Sequence, residues 1–305
     1  MDQATSLRRI IGRSPRKEDN VSIQGGKTRV LAITSGKGGV GKSNVVLNLS
    51  IELAQRGRRV FLLDADMGLA NVDVLLGITP QYTLEHVLNG EKSIQDVILT
   101  GPAGLQILPS GSGISELSEL TFDQQRSLFS KLSRLGDDID YLFIDTGAGI
   151  SSNVLRFNTS AGEVLVVANP EPTSVTDAYA LMKLLATKYQ VRHFGLVANS
   201  VNSKADGLAV YQTLKQVCDQ FLQAQLDFAG WIPLDSAMRK AVRAQSPVVI
   251  GAPSSRAARS LVRIADWLEA HRIGSISPEH HVQSGPVDDT KPQSFWDRLL
   301  HWKKL

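Results

Sequence analysis

Short apolar runs recur along the chain at residues 30–34, 60–64, 105–108, 141–144, 163–168, 194–198 and 228–232. Each is strand-length and nearly continuous rather than alternating, the pattern of a strand buried on both faces. Between them lie amphipathic stretches such as 44–56, 124–135, 175–188 and 209–221, which predict helices. Strand and helix alternating at this spacing predict an α/β fold: a doubly wound, mainly parallel sheet. Ligands of such sheets sit at the carboxyl ends of the strands.

The pattern breaks at both ends. Residues 1–11 have helical potential, and residues 12–28 are rich in Gly, Ser and charge and read as a linker. The strand–helix alternation fills residues 29–271. Residues 272–293 read as a second linker, and residues 294–305, SFWDRLLHWKKL, form a compact tail.

Composition narrows the class. The chain has 305 residues, 42% apolar, enough for one large domain with a substantial core. The N-terminus lacks the apolar stretch of a signal peptide, and no run approaches membrane-spanning length, so a cytoplasmic protein is expected. A net charge of +3 gives no bulk argument for nucleic acid, and direct nucleic-acid binding is not expected. The single cysteine, Cys218, excludes an internal disulfide and a cysteine-held metal cluster.

After the first apolar run comes Gly36-Lys37-Gly38-Gly39-Val40-Gly41-Lys42-Ser43, then a helix. This satisfies G-x-x-x-x-G-K-[ST] in its strand–loop–helix context. The glycines let backbone N–H groups turn toward phosphate oxygens, and the helix N-terminus adds positive potential. Lys42 is expected at the β/γ-phosphates of ATP and Ser43 on Mg²⁺. The second run ends in Asp64-Ala65-Asp66, carboxylates two apart that share a strand face. Asp64 is expected in the Mg²⁺ shell and Asp66 beside the attacking water. The run at 141–144 closes on Asp145-Thr146-Gly147-Ala148-Gly149, a hydrophobic strand ended by an acid near Mg²⁺. A strand-terminal Asp is also a common helix cap, and the order behind the P-loop favours the metal role. Asn199 follows the run at 194–198; its amide can pair with adenine, or form an Asx turn.

Lys37, a second lysine inside the loop, makes it resemble the deviant Walker loop K-G-G-x-G-K-[ST] of the MinD/ParA ATPases. The resemblance covers about residues 29–270. It implies an ATP-dependent homodimer in which Lys37 reaches the partner's nucleotide and stabilises charge on the transferring phosphoryl group, with Asp66 and Asp145 as the other catalytic groups. It also implies that Asn199 reads the base and that the loop Ile232-Pro233-Leu234-Asp235 packs there, making Pro233 and Asp235 nucleotide-site residues. MGLANVDVLLG from Met67, PEPTSVTDAYALMK from Pro170 and the leading MDQATSLRR resemble the FlhG branch, regulators of flagellar number and placement. That branch implies that Asp2, Gln3, Ala4, Leu7 and Arg8 stimulate an FlhF-like GTPase. It further implies flagellar switch (C-ring) proteins and a flagellar transcription regulator as partners. The runner-up is a ParA- or MinD-type ATPase positioning DNA or a division septum.

In the tail, helical rotation gathers Phe295, Trp296, Leu299 and Trp302 on one broad face with Leu300 at its margin, opposite charged residues. This is the composition of an interfacial helix, so the tail is expected to bind an anionic membrane reversibly at its inner face. The alternative is a terminal helix docked on the protein's own core; the long linker argues against permanent docking.

Overall fold

The structure, a computed structural model, describes residues 28–66, 72–109, 121–133, 139–274 and 294–302. The expectations for Asp2, Gln3, Ala4, Leu7 and Arg8 and for most of both linkers lie outside these residues.

Eight strands form one sheet: Arg29–Ser35 (β1), Val60–Ala65 (β2), Leu99–Thr100 (β3), Gln106–Leu108 (β4), Tyr141–Ala148 (β5), Glu163–Ala168 (β6), His193–Val201 (β7) and Gln225–Pro233 (β8). Their order is β3-β4-β2-β5-β1-β6-β7-β8, parallel throughout except for β3 against β4. The doubly wound sheet is as expected. The two-residue edge strand β3 carries no readable period and was not foreseen.

The continuous apolar runs have their cause in the layers. On one face, Leu31, Ile33, Leu62, Phe143, Leu165 and Val167 pack beneath the helices Lys42–Gln55 (α1) and Arg256–Ala270 (α11). On the other, Phe61, Leu63, Leu142 and Ile144 form a second cluster and Val164, Val166, Phe194 and Leu196 a third. These lie under Phe122–Ser133 (α5), Ser152–Ser160 (α6), Pro172–Tyr189 (α7) and Lys204–Val217 (α8). Successive residues thus face opposite cores, and neither face is free for a polar residue. Short helices complete the order: Val72–Leu76 (α2), Leu84–Leu88 (α3) and Ile94–Val97 (α4) before β3, and Ser236–Arg243 (α9) and Val248–Gly251 (α10) after β8.

The tail departs from expectation. Phe295–Leu300 (α12) lies on α5 and α6, with Phe295 and Leu299 buried beside Leu128, Phe129 and Phe157. Trp296 packs on Phe129, Leu300 joins the same cluster, and Trp302 stacks on Tyr189. The face expected to meet lipid is covered by the protein's own core. The physical reason is local: burying a Phe or Leu contributes roughly 1.5–3 kcal/mol, and a helix this short has no stability in water of its own. Two half-buried arginines fix it. Arg156 on α6 donates through Nε and Nη2 to Leu299 O at 3.0 and 2.8 Å, and Arg298 Nε donates to Ser160 O at 2.8 Å.

A second departure concerns charge. Residues 236–265 contain Arg239, Lys240, Arg243, Arg256, Arg259 and Arg263 and no Asp or Glu. All six are exposed on α9 and α11, and none forms an ion pair with a described residue. The six cations are divided between two helices, three on α9 and three on α11.

Candidate functional site

β1 is the switch point of the sheet: its chain leaves for β2 on one side, while β6 and β7 follow on the other. The crevice at its carboxyl end is where the loop 36–43 lies. Gly39 and Gly41 hold φ of 79° and 88°, the left-handed region that favours glycine. Gly41 opens α1, its carbonyl accepting from Val45 N at 3.0 Å. A Cβ at Gly36 would overlap the backbone of Asp177 on α7, so the loop and α7 touch through backbone.

Inside the loop, Lys42 is buried and pairs through Nζ with Oδ1 of Asp145, while Oδ2 of Asp66 lies 3.8 Å away. Ser43 Oγ is 3.5 Å from the same ammonium. Thus Lys42 and Ser43 of the loop meet Asp66 and Asp145, which are distant from them in sequence. Asp145 is fully buried, and its Oδ2 has no hydrogen-bond partner among the described residues. Burial pushes its carboxyl above the ordinary value against the opposing pull of Lys42. An orphaned, buried carboxylate oxygen beside a serine hydroxyl fits a hard divalent cation with oxygen ligands.

Asp64 holds the backbone instead. Its Oδ1 accepts from Asp66 N at 3.1 Å and its Oδ2 from Val72 N at 3.3 Å, so it clamps both ends of the segment 67–71. Asp66 is partly exposed and lines a cavity of about 140 Å³ with Gly147, Ala148, Ser151 and Asn153. Gly149, at φ 86°, donates its N–H to Ser35 O at 2.9 Å, tying the segment after β5 to the residue before the P-loop.

Lys37 is held apart from this cluster. Its Nζ donates to Glu171 Oε2 at 2.8 Å and to Thr173 Oγ1 at 2.9 Å, at the start of α7. The Lys37 contact holds the Glu171 carboxyl below its usual range. From sequence, Glu171 was read only within Asn169-Pro170-Glu171-Pro172, a stretch expected to face a dimer partner, and Thr173 was not singled out; the signal for this contact was an acid placed just before a Pro-initiated helix.

At the adenine side, Asn199 is buried, and its Nδ2 donates to Val40 O at 2.7 Å. Ser200 beside it holds φ 55°, a left-handed residue at an irregularity of β7. Pro233 is buried at the end of β8, paired with Val201. Asp235 acts as a joint helix cap: Oδ1 accepts from Ala237 N at 2.9 Å and Oδ2 from Ala257 N at 3.1 Å. These bonds hold its carboxyl below the usual range, the Ala237 N–H contributing most. Both oxygens are thereby committed to joining α9 and α11, so its influence on a nucleotide passes through backbone position.

A glycine-lined loop of this kind at the switch point of a doubly wound sheet defines a P-loop NTPase. Comparison with known proteins narrows the class. A family model described as an AAA domain matches residues 28–193, and one described as NUBPL iron-transfer P-loop NTPase matches residues 126–269. The chain is 43% identical over 255 residues to the antiactivator FleN of Pseudomonas aeruginosa, which spans 84% of this chain and 91% of that protein. It is 33% identical over 280 residues to the flagellum site-determining protein YlxH of Helicobacter pylori, spanning 91% of each. The cell-division ATPase MinD of Pyrococcus furiosus matches with a TM-score of 0.63 at 29% identity, over 79% of this chain and 98% of that one. MinD of Pyrococcus horikoshii, solved with Mg-ADP, matches at 0.63 and 26% identity, over 79% and 96%. The chain belongs to the MinD/ParA family of P-loop ATPases, enzymes that split ATP to ADP and phosphate. Iron transfer finds no thiolates here: the one cysteine, Cys218, is buried, and burial pushes its thiol up to about 11.

Proposed function

We propose that this chain is an ATP-driven dimerising switch that controls flagellar number and placement. What carries the flagellar part is similarity to both FleN and YlxH over nearly their whole lengths. What supports the switch is the two-lysine loop: Lys42 pairs with Asp145, whereas Lys37 pairs outside that cluster with Glu171. A lysine outside the Lys42–Asp145 cluster is not committed to its own chain's phosphates and suits a second copy's nucleotide, where a cation against the γ-phosphoryl stabilises transition-state charge.

In this reading Gly36 to Ser43 cradle the phosphates, and Asn199 and the Pro233 loop border adenine. Mg²⁺, when bound, neutralises charge on the β- and γ-phosphates. Ser43 Oγ and the orphaned Asp145 Oδ2 would hold it, with Asp64 in the outer shell. Asp66 orients the attacking water. The ATP-bound dimer releases α12 to an anionic membrane, and its surfaces receive an FlhF-like GTPase, flagellar switch proteins and a flagellar transcription regulator. The protein is then cytoplasmic and reversibly peripheral. The domain plan follows: a GTPase-activating segment 1–11, a linker 12–28, the ATPase domain 29–271, a linker 272–293 and the tail 294–305.

The test is genetic. Deleting the gene in its source bacterium should change the number of flagella counted per cell by electron microscopy. The wild-type copy should restore the number and a Lys37→Ala copy should not; an unchanged count after deletion contradicts the reading.

One observation favours the DNA-positioning reading as a second: the exposed cations of α9 and α11. If they bind duplex DNA, log affinity should fall with log salt by about 0.9 per phosphate contacted. Binding unaffected by Arg239→Glu with Arg243→Glu excludes that surface.

A further inference from the structure

Gln245, at the corner between α9 and α10, stands out on two counts. Its φ of 51° lies in the left-handed region that a glutamine rarely enters. Such a conformation persists where the surroundings hold it. Its side chain also reaches a distant part of the chain: Nε2 donates to Val74 O at 2.8 Å, near the end of α2. The last carbonyls of a helix have no partner inside the helix, and this amide serves one of them. Val74 O accepts from Gly77 N as well, at 3.2 Å. A Cβ on Gly77, itself at φ 65°, would come within 3.1 Å of Gln245 Oε1, so the amide lies closely over the end of α2.

The corner is firmly supported. Gln245 N donates to Val242 O at 3.1 Å and Ser246 N to Ala241 O at 3.0 Å, and Pro247, Val248 and Val249 are buried behind them. Val249 N donates at 3.1 Å to Oδ1 of Asn48, a buried residue of the phosphate-loop helix α1. Asn48 is fixed in turn, since its Nδ2 donates to Asn44 O at 2.8 Å. The corner therefore bridges α1 and α2. At its start α2 is held by Asp64, whose Oδ2 accepts from Val72 N and whose Oδ1 accepts from Asp66 N.

We propose that Gln245 is a positioning residue for ATP hydrolysis: it holds the end of α2 in place relative to α1, and through Asp64 this sets where Asp66 stands beside the phosphate loop. The inference rests on the reading that Asp66 orients the attacking water. A shift of α2 pulls on the Val72 bond to Asp64, and the same carboxylate carries the backbone of Asp66. The hold acts on the acid side of the site and leaves the phosphate cradle to α1, so it governs turnover and not nucleotide binding. The bond joins neutral groups at an exposed place, so its effect is a few-fold.

The test compares the full chain as wild type, Gln245→Glu, Gln245→Gly and Asp66→Ala. For each, kcat is measured at saturating ATP with Mg²⁺, at a protein concentration where wild-type turnover no longer rises. Affinity for a fluorescent ADP analogue and amide hydrogen exchange of residues 72–78 are measured alongside. Gln245→Glu keeps the side-chain length and only accepts, so the bond to Val74 O is lost. Gln245→Gly suits the left-handed backbone, so its effect is not one of new strain. Both should exchange residues 72–78 about threefold faster and lose about threefold in kcat, with affinity unchanged. Exchange equal to wild type in both variants overturns the hold. Faster exchange with a wild-type kcat overturns the positioning of Asp66, and so does a loss of affinity that matches the loss of kcat. An Asp66→Ala protein that turns over like wild type overturns the reading of Asp66 instead.

Discussion

Lys42 and Asp145 meet as a buried ion pair at the carboxyl ends of the neighbouring strands β1 and β5. The lysine comes from the loop after one strand and the acid from the end of the other, so the pair forms only when the sheet closes. Each group has one natural exchange partner: phosphate for the ammonium, a divalent cation for the carboxylate.

Removing the lysine exposes both roles. Lys42→Ala should lower affinity for a fluorescent ATP analogue by more than about a hundredfold, since the phosphate charge loses its cation. It also leaves Asp145 buried without its counter-charge, and breaking such a pair typically costs about 3–5 kcal/mol. That cost should depend on pH. The Asp145 carboxyl titrates above its unfolded value, so its favourable state is the protonated one, present at low pH and lost as pH rises through the folded value. The variant should accordingly melt higher at about pH 5 than at about pH 8, relative to wild type. Equal melting deficits at both pH values would contradict an unpaired Asp145.

The phosphate loop was legible in sequence because its constraints are local: glycine geometry, a lysine and a serine at fixed offsets, a strand before and a helix after. The sheet was legible because strands covered on both faces leave unbroken apolar runs, as at Leu62 and Leu63, which face opposite cores. What escaped depends on distant contacts. Asp235 looked like part of a nucleotide loop, but its second oxygen is taken by Ala257 N, far along the chain. The amphipathic tail displayed a lipid-facing composition, and nothing in its own residues reveals that α5 and α6 offer the same apolar cover. The starts of α9 and α11, which carry the exposed cations, are joined through Asp235, a contact no local pattern announces.

Asp235→Asn should therefore act on stability. An amide can accept at one position only, so one of two caps is lost, at about 1–2 kcal/mol. In wild type the depressed carboxyl contributes above the ordinary Asp value, and that contribution disappears as pH falls through the folded value. Chemical denaturation at neutral pH should detect the difference. An unchanged midpoint would remove the joint-cap role.

The tail makes a paired prediction. Arg156→Ala removes both bonds to Leu299 O and should loosen α12, raising sedimentation with anionic liposomes in ADP. Deleting residues 294–305 should abolish that sedimentation and leave nucleotide affinity unchanged. Equal pelleting of full-length and truncated protein refutes the membrane role.

A synthetic peptide of residues 1–20 should raise the GTP turnover of a purified FlhF-like protein. Gln3 and Leu7, four apart, would share a helix face, and a glutamine amide near a GTPase site can position water. A Gln3→Ala peptide should lose most of the stimulation. No stimulation by the wild-type peptide removes the regulatory role of the N-terminus.

The switch proposed for this chain requires that ATP join two copies and hydrolysis part them. Asp66→Ala removes the carboxylate that faces the cavity beside Gly147 while leaving the Lys42–Asp145 pair in place. The most direct measurement is the molar mass of this variant by size-exclusion chromatography with light scattering, in ADP and in ATP with Mg²⁺. The expected result is a monomer in ADP and a stable dimer in ATP, with phosphate release well below wild type. A monomer in both nucleotides would contradict it.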